Sequence, residues 1–454
     1  MVHHEDPVAN VTDVIYTNGM NVREINACLS RGAADEPGVL PHAEQLQRQA
    51  FVFGFQFGLD ALPTEPGILL VRGPRQYGKS TWLEMELRRT IAEFGPGSAY
   101  YLNGDEIPDA EALVARIREL LGMFDPRRGV RRLFVDEITA VSDWQRGLKR
   151  LADEGALRRV LVVTTGSRAL DLRRGAERLP GRKGRLARTS YRFTPVSFVE
   201  FERVCGGHIG NAMLPAYILS GGSPVACAEV ASRGSVPEFV YETVRDWIFG
   251  ECAAAGRSRI SLLAVMAALH RFGGSTLGQA KLARETGLAN NTVAAGYIEM
   301  LSDLMCLSPC HAWDPVRGVA VQRKPCKYHF TNLLVASCWS PHKPRTVQEF
   351  LGLPPEVQGT WLEWTVAQEL LRRRCISGEE VPEQLLFWQS KEHELDFVVG
   401  AGRYLEVKRV VTSPIEFSWF EQALRGAQLT VVSDASYEAR SVRGITLEEF
   451  LRAT

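Results

Sequence analysis

Gly73-Pro74-Arg75-Gln76-Tyr77-Gly78-Lys79-Ser80 is the stretch that decides the fold of the first half of this 454-residue chain. It matches G-x-x-x-x-G-K-[ST], and it lies between an apolar run at 68–71 and a predicted helix that begins with Thr81. Glycines let a backbone wrap a chain of phosphates, and a helix N-terminus adds positive potential there. We predict that these eight residues and Thr81 bind ATP, with Lys79 on the β- and γ-phosphates and the Ser80 hydroxyl on Mg²⁺.

An acidic strand end accompanies this phosphate loop. Arg132-Leu133-Phe134-Val135-Asp136-Glu137 is an apolar strand that closes on two acids. Asp136 is placed to hold Mg²⁺, directly or through water, and Glu137 to orient the attacking water, which points to hydrolysis. Thr164-Thr165-Gly166-Ser167 ends another strand, and Ser167 is either a γ-phosphate sensor or part of an ordinary Gly-Ser turn.

The surrounding pattern predicts the fold class. Apolar runs at 68–71, 99–102, 133–135 and 160–165 alternate with helical stretches, such as 81–93 and 111–121. Buried strands that alternate with helices predict an α/β fold with a parallel sheet. A further helix is predicted upstream, across 45–59.

Five other stretches carry a family resemblance. They are LFVDEI at 133–138, DWQRGLKRL at 143–151, TTGSR at 164–168, LPGR at 179–182 and FTPVSFVEF at 193–201. With the phosphate loop they resemble prokaryotic AAA+-type ATPases, specifically the family that joins such an ATPase to a C-terminal domain long of unknown function. The resemblance covers about residues 60–440. It implies a P-loop core of five parallel strands, a small helical lid and a winged helix, and it makes Arg182 either an arginine finger or a DNA-facing residue.

The net charge of the chain is zero, with 53 Lys and Arg against 53 Asp and Glu. A composition of 45% hydrophobic and 23% charged residues excludes a largely disordered chain. The sum hides two basic blocks: residues 158–192 hold 11 basic and two acidic residues, and residues 257–345 hold 11 and four. Such blocks attract polyanions. The first block also suits docking onto the acidic domains of the same chain, or plain solvation.

The second basic block has the pattern of a DNA-binding fold. A helix at 277–285, a glycine turn and a second helix capped by Asn290, Asn291 and Thr292 predict a helix-turn-helix. Strands at 307–313 and 327–331 would form the wing. In such a fold the capping residues enter the major groove of DNA, but winged helices also serve as protein–protein modules, and both interpretations stay open.

The cysteines and the hydropathy indicate the compartment. Nine sparse cysteines fit reduced thiols in a cytoplasmic protein. The N-terminus lacks the apolar core of a secretory signal, and no apolar run reaches about 18 residues, so we predict no membrane contact. Cys306, Cys310, Cys326 and His329 have a spacing near that of a zinc ribbon, or else lie in apolar strands.

The C-terminal part carries a second set of candidate catalytic residues. Glu394 and Asp396 share one face of a predicted strand, and Glu406 and Lys408 share a face of the next one, because the side-chain period of a strand is two. Acids gathered in this way need a cation. Oxygen ligands suit Mg²⁺, which we expect on Asp396 and Glu406, with Lys408 activating water for attack on a phosphodiester.

The order Asp-x9-Glu-x-Lys resembles the PD-(D/E)XK nuclease core. Glu363 begins a predicted helix and matches the acid that usually precedes this core. The resemblance therefore implies catalytic roles for Glu363, Asp396, Glu406 and Lys408. The other interpretation is an exposed hairpin with alternating charges.

Four units follow from these patterns: an AAA+-like P-loop core at 1–205, a helical lid at 206–256, a winged helix at 257–345 and a PD-(D/E)XK nuclease-like domain at 346–454. We predict an ATPase whose nucleotide-driven switch controls DNA binding and Mg²⁺-dependent cleavage. The alternative is an ATP-dependent regulator or sensor, related to defence or mobile elements, whose nuclease-like domain only binds. DNA is the expected partner, and a homo-oligomer and a protein partner at the winged helix are left open.

Overall fold

The computed structural model describes residues 20–167, 179, 181 and 184–453. Within those residues, no helix combines the length and the apolar character that crossing a membrane requires.

The first half of the chain is built on one parallel sheet. Its strands are β1 (Gly67–Arg72), β2 (Ala99–Asn103), β3 (Arg132–Asp136), β4 (Leu161–Gly166) and β5 (Ser190–Arg192). The order across the sheet is β2-β3-β4-β1-β5, and every pairing is parallel. The predicted α/β fold with a parallel P-loop sheet is confirmed.

Helices cover both faces of this sheet: α1 (Val22–Arg31), α2 (Pro41–Gln47), α3 (Lys79–Phe94), α4 (Ala110–Leu121) and α5 (Trp144–Asp153). Leu69 and Val71 of β1 pack on the side of α1, α2 and α3. Ile68 and Leu70 pack on the side of α4 and α5. Alternate residues of one strand thus enter two separate cores, which is why the strand reads as a continuous apolar run.

The predicted helix across 45–59 is wrong beyond Gln47. The chain runs on without regular secondary structure, and Phe53 and Phe57 are buried while their neighbours are more exposed. Phe57 packs on Phe193 with 4.6 Å between ring centroids. Along 51–57, buried or half-buried phenylalanines alternate with exposed residues, a period of two that an extended backbone satisfies and a helix does not.

Helices dominate the middle of the chain. The first four are α6 (Phe198–Ile209), α7 (Met213–Ser220), α8 (Pro224–Arg233) and α9 (Glu238–Ala254). The next three are α10 (Arg259–Arg271), α11 (Gln279–Glu285) and α12 (Asn291–Asp303). Asn290 caps α12 by accepting a hydrogen bond from the Val293 N–H at 2.9 Å, so this helix starts where its sequence predicts.

A second sheet joins strands from both sides of residue 345. Its strands are β6 (Leu307–Asp314), β7 (Val319–Val321), β8 (Lys327–Phe330), β9 (Leu385–Gln389) and β10 (Glu394–Leu395). β6 pairs antiparallel with β7 and β8, and parallel with β9. The predicted boundary at 345/346 therefore separates strands that share one sheet.

A third sheet completes the C-terminal part. Between the second and third sheets lie α13 (Leu333–Trp339), α14 (Val347–Leu351) and the long α15 (Pro355–Ser377). The third sheet has the order β11-β12-β13-β15-β14, from β11 (Phe397–Gly400), β12 (Arg403–Val407), β13 (Gln428–Val432), β14 (Tyr437–Ala439) and β15 (Val442–Ile445). Two short helices, α16 (Phe420–Ala423) and α17 (Leu447–Arg452), accompany it, and short 3-10 helices lie at 104–106, 138–140, 210–212 and 414–417.

Candidate nucleotide site and acidic centre

The phosphate loop connects β1 to α3 and leaves the start of that helix open. Gly78, the N-cap of α3, has φ 90°, in the left-handed region that favours glycine, and no side chain caps the helix. Gly73 packs so closely that a Cβ there would lie 2.5 Å from the Cβ of Phe193. The amide groups of the first turn are thus available to an anion, as a phosphate cradle requires.

Lys79 is buried inside this loop. Its ammonium donates hydrogen bonds to the carbonyl oxygens of Gly73 at 3.0 Å and of Pro74 at 2.7 Å. Burial lowers the pKa of Lys79 to about 8, although Glu137 and Asp136 act in the opposite direction. A polyphosphate at the loop would supply the negative charge that favours the protonated amine.

The acidic strand end lies at the same edge of the sheet. Asp136 ends β3 and accepts a hydrogen bond from the Thr165 hydroxyl of β4. The Glu137 N–H donates to Asp136 Oδ1 and to Thr165 Oγ1, both at 3.1 Å, and Glu137 has φ 46°. The two strands thereby fix the backbone at the point where the two predicted acids stand.

Ser167 holds the carboxylate of Glu137. Glu137 Oε1 accepts hydrogen bonds from the Ser167 N–H at 2.9 Å and from the Ser167 hydroxyl at 3.0 Å. The Thr139 hydroxyl donates to the same oxygen. The structure thus brings the predicted sensor and the predicted water-orienting residue into direct contact, and leaves their roles as predictions.

Mg²⁺ with a nucleotide fits this edge of the sheet. The open helix N-terminus suits phosphates, and the Asp136 carboxylate and the half-buried Ser80 hydroxyl are oxygen ligands of the kind Mg²⁺ prefers. Bound there, Mg²⁺ would neutralise charge on the phosphates.

A second cluster of charges forms where β8, α15 and β10 meet. The Lys327 ammonium lies 2.6 Å from Glu394 Oε1, 3.0 Å from Asp396 Oδ1 and 3.4 Å from Glu363 Oε1. Lys327 is only 1% exposed. We call Lys327, Glu363, Glu394, Asp396 and Glu406 the acidic centre.

Backbone hydrogen bonds complete the acidic centre. The Asp396 N–H donates to Glu406 Oε2 at 3.1 Å, and the Val407 N–H donates to Asp396 Oδ2 at 2.9 Å. Lys408 Nζ lies 2.5 Å from Glu406 Oε1. The four predicted nuclease residues, Glu363, Asp396, Glu406 and Lys408, therefore converge.

Three carboxyl groups of this centre, those of Glu363, Glu406 and Asp396, have shifted pKa values, and the shifts differ in direction. Burial, together with the nearby Asp396, raises the pKa of Glu363 and of Glu406 to about 8. Burial also acts upward on the pKa of Asp396, but Lys327 and the Val407 N–H outweigh it and lower that pKa. Lys327 thus keeps Asp396 ionised, while Glu363 and Glu406 retain protons near neutral pH.

A divalent cation does not fit this arrangement, because the Lys327 ammonium lies between the carboxylates that would hold the metal. Within the described ranges, no group of three or more His, Cys, Asp and Glu side chains is arranged to hold a metal ion. The same finding covers Cys306, Cys310, Cys326 and His329, which are buried in the core. It favours the interpretation of these four as apolar strand residues rather than zinc ligands.

Sequence reasoning missed Lys327 as a residue of this centre. It placed Lys327 only on a wing strand and His329 only in a zinc pattern. The available signal was their spacing: Lys327 and His329 alternate on β8, which is buried at all four positions. A lysine in a fully buried strand needs an acidic partner.

Part of the first basic block docks within the chain. The Arg188 guanidinium donates hydrogen bonds to the carbonyl oxygens of Cys375 at 2.6 Å and of Ile376 at 3.0 Å, at the C-terminal end of α15. Arg192 forms a 3.1 Å ion pair with Glu383. These two arginines follow the docking interpretation, whereas six of the 11 basic residues of the block, Arg182 among them, lie outside the described residues.

The second basic block presents its candidate DNA-binding residues to solvent. Asn290, Asn291 and Thr292 are exposed at the start of α12. Arg317, in the turn between β6 and β7, is exposed, as are Arg323 and Lys324 before β8.

Comparisons with known proteins agree on the P-loop region. Residues 65–202 match the family described as an AAA domain. This part of the chain is an AAA-type P-loop domain. No curated protein matches the sequence.

Three solved structures are similar to this chain at low identity and low TM-score. The Walker-type ATPase PABY2304 of Pyrococcus abyssi is 14% identical, with 60% of this chain and 90% of that chain covered and a TM-score of 0.42. The Aeropyrum pernix ORC1 protein, solved in complex with DNA, is 15% identical, with 68% and 96% covered and a TM-score of 0.32. The Aeropyrum pernix ORC2 protein is 13% identical, with 74% and 96% covered and a TM-score of 0.36.

Proposed function

We propose that this chain is an ATP-binding and ATP-hydrolysing switch whose nucleotide state sets the arrangement of its C-terminal units. The observation that carries the proposal is the convergence of Lys79, Asp136, Glu137 and Ser167 at one edge of the parallel sheet, next to an uncapped helix N-terminus. That combination supplies phosphate binding, a metal ligand and a carboxylate for water.

Each residue then has a defined task. The loop amides and Lys79 bind the phosphates, and Ser80 and Asp136 hold Mg²⁺. Ser167 donates to Glu137 through its N–H and its hydroxyl. A γ-phosphate competes for these donors, so its arrival releases the Glu137 carboxylate to orient water. Hydrolysis removes the competitor and restores the Ser167–Glu137 contact.

The route from the nucleotide to the C-terminal units starts at β1. Arg72 directly precedes the phosphate loop and, with Arg192, Asp303 and Glu383, lines a small cavity between the P-loop domain, α12 and α15. Arg188 holds the last carbonyl groups of α15. A movement of the loop therefore reaches both α12 and α15 through contacts that are already in place.

Arg188→Ala tests this coupling. In the parent protein we expect ATP to change hydrogen exchange of the amides at the C-terminal end of α15. Removal of the guanidinium deletes two hydrogen bonds to that end, so the nucleotide-dependent change should fall at least by half while ATP binding persists. Arg185→Ala, an exposed arginine of the same block, is the matched control. An unchanged nucleotide response in Arg188→Ala would contradict the proposed route.

DNA is the partner that the second basic block favours. The start of α12 and the exposed Arg317, Arg323 and Lys324 offer polar and cationic groups in the positions of a recognition helix and its wing. We propose that these elements bind duplex DNA, mainly through its phosphates.

Arg323→Ala combined with Lys324→Ala should weaken DNA binding at all sequences alike. Each lost phosphate contact should reduce the slope of log Kd against log salt by about one. Fluorescence anisotropy with a labelled duplex at several salt concentrations measures both quantities. Arg127→Ala combined with Lys149→Ala, two exposed positions on the P-loop domain, controls for total charge. A salt slope equal to that of the parent protein would favour the protein–protein interpretation of the winged helix.

The acidic centre favours binding over cleavage. The convergence of Glu363, Asp396, Glu406 and Lys408 supports phosphodiester cleavage, but Lys327 stands where that chemistry needs a divalent cation. We therefore propose the regulator or sensor function, in which the nuclease-like unit is a non-catalytic binding module, ahead of the endonuclease function.

A further inference from the structure

We propose that Lys327 is a built-in counter-ion that replaces the divalent metal of the acidic centre, so that removal of its ammonium converts the centre into a divalent-cation site. The juxtaposition behind this proposal is one buried lysine from β8 inserted among Glu363 of α15, Glu394 of β10 and Asp396.

The Lys327 ammonium has an acidic partner for each of its N–H donors. It has three N–H donors, and three separate carboxylates lie within 3.4 Å of it. A side chain that is 1% exposed is held in this place by acids from two other elements. Removing one partner of such a buried ion group leaves the others uncompensated, which costs several kcal/mol. The lysine therefore does not leave the centre without a replacement cation.

A second observation is a buried imidazole with unused nitrogens beside the acidic centre. His329, two residues along β8, is fully buried, and neither of its ring nitrogens has a hydrogen-bond partner among the described residues. Its Nδ1 lies 3.7 Å from Glu363 Oε1. A buried imidazole with unused nitrogens beside a carboxylate is a donor for a metal ion.

The carboxylates that would approach an ion in the variant lie near one another, although with Lys327 among them no three His, Cys, Asp or Glu side chains of the described residues are arranged to hold a metal. Asp396 and Glu406 are bound to each other's strand segments through backbone N–H groups, so their carboxylates stay together without Lys327. Removal of one positive charge leaves an excess of acid in a buried volume. A divalent cation such as Mn²⁺ restores the balance, because oxygen ligands suit it.

Titration of the nucleotide-free full chain with Mn²⁺, followed by calorimetry and by thermal unfolding, tests the proposal. In the parent protein, we expect the isotherm to be identical to that of Asp396→Asn, because the acidic centre takes no metal. Lys327→Ala should gain one Mn²⁺ equivalent, and its unfolding temperature should rise by several degrees with saturating Mn²⁺. Lys327→Ala combined with Asp396→Asn should lose both effects.

Two results would overturn the proposal. The first is Mn²⁺ binding by the parent protein that Asp396→Asn abolishes, because the metal and Lys327 would then share the centre. The second is a folded Lys327→Ala protein that gains no Mn²⁺.

If Lys327→Ala folds only in the presence of Mn²⁺, the proposal is supported. If it folds in neither condition, the comparison of the parent with Asp396→Asn decides the question. Asp136→Asn alters the P-loop site and not the acidic centre. It therefore tests the ATPase proposal separately from the proposal for Lys327.

Discussion

Lys79→Ala should abolish detectable ATP binding. The Lys79 ammonium lies inside the phosphate loop, where it donates to the Gly73 and Pro74 carbonyl oxygens. In the proposed complex it donates to the β- and γ-phosphates instead. Hydrogen bonds to charged groups contribute about 1.5–3 kcal/mol each, so loss of these two should weaken ATP binding by about 100-fold or more. Fluorescence titration with an ATP analogue gives the Kd directly.

Lys149→Ala provides the control for this variant. Lys149 is an exposed lysine of α5 in the same domain, so its removal changes the net charge equally without touching the loop. Thermal unfolding should show that both variants are folded. A Lys79→Ala protein that binds ATP within about threefold of the parent would refute the phosphate-loop assignment, since that difference is below 1 kcal/mol.

Glu137→Gln should bind ATP with the affinity of the parent but hydrolyse it about 10²–10⁴ times more slowly, the range that a positioned proton acceptor contributes. The amide oxygen of glutamine can still accept the Ser167 hydrogen bonds, so the local structure should persist. What is lost is the carboxylate that takes the proton of the attacking water. Steady-state phosphate release measures the rate, and single-turnover measurements separate binding from chemistry.

Glu93→Gln, an exposed acid at the end of α3, is the matched control for charge. It should leave turnover unchanged. ATP turnover by Glu137→Gln at the parental rate would exclude Glu137 from the water-orienting role. In that case Asp136 would be the next residue to test, because it stands one position earlier on β3.

The nucleotide site was predictable because its signals are local. A phosphate loop, the strand before it and the helix after it follow one another in the sequence. The acids that end β3 meet the loop because parallel strands present their carboxyl ends at one edge. The start of α12 was predictable for the same reason, since the capping chemistry of Asn290 involves only its next three residues.

The acidic centre was predictable only in part. Glu406 does pair with Lys408, and Glu394 and Asp396 both contact Lys327. The single strand predicted for Glu394 and Asp396 is wrong, because β10 ends at Leu395 in the second sheet and β11 begins at Phe397 in the third. Lys327 reaches these acids from a strand 69 positions before Asp396, and pairing across such a distance leaves no local pattern. The predicted helix at 45–59 failed beyond Gln47, where buried or half-buried phenylalanines alternate with exposed residues along 51–57 as an extended backbone requires.

The sheet that spans residue 345 limits how this chain can be divided. A cut there would expose the edge of β6 that pairs with β9. It would also separate Lys327 from its acidic partners, which lie on the other fragment. Each fragment would carry uncompensated buried charge, so neither should persist alone. Recombination that replaces the chain on one side of residue 345 with the corresponding part of a related protein would break the same strand pairing and ion pairs. The segment from β6 to the C-terminal helix should therefore be inherited as a single piece, with Lys327 and its acids changing together or not at all.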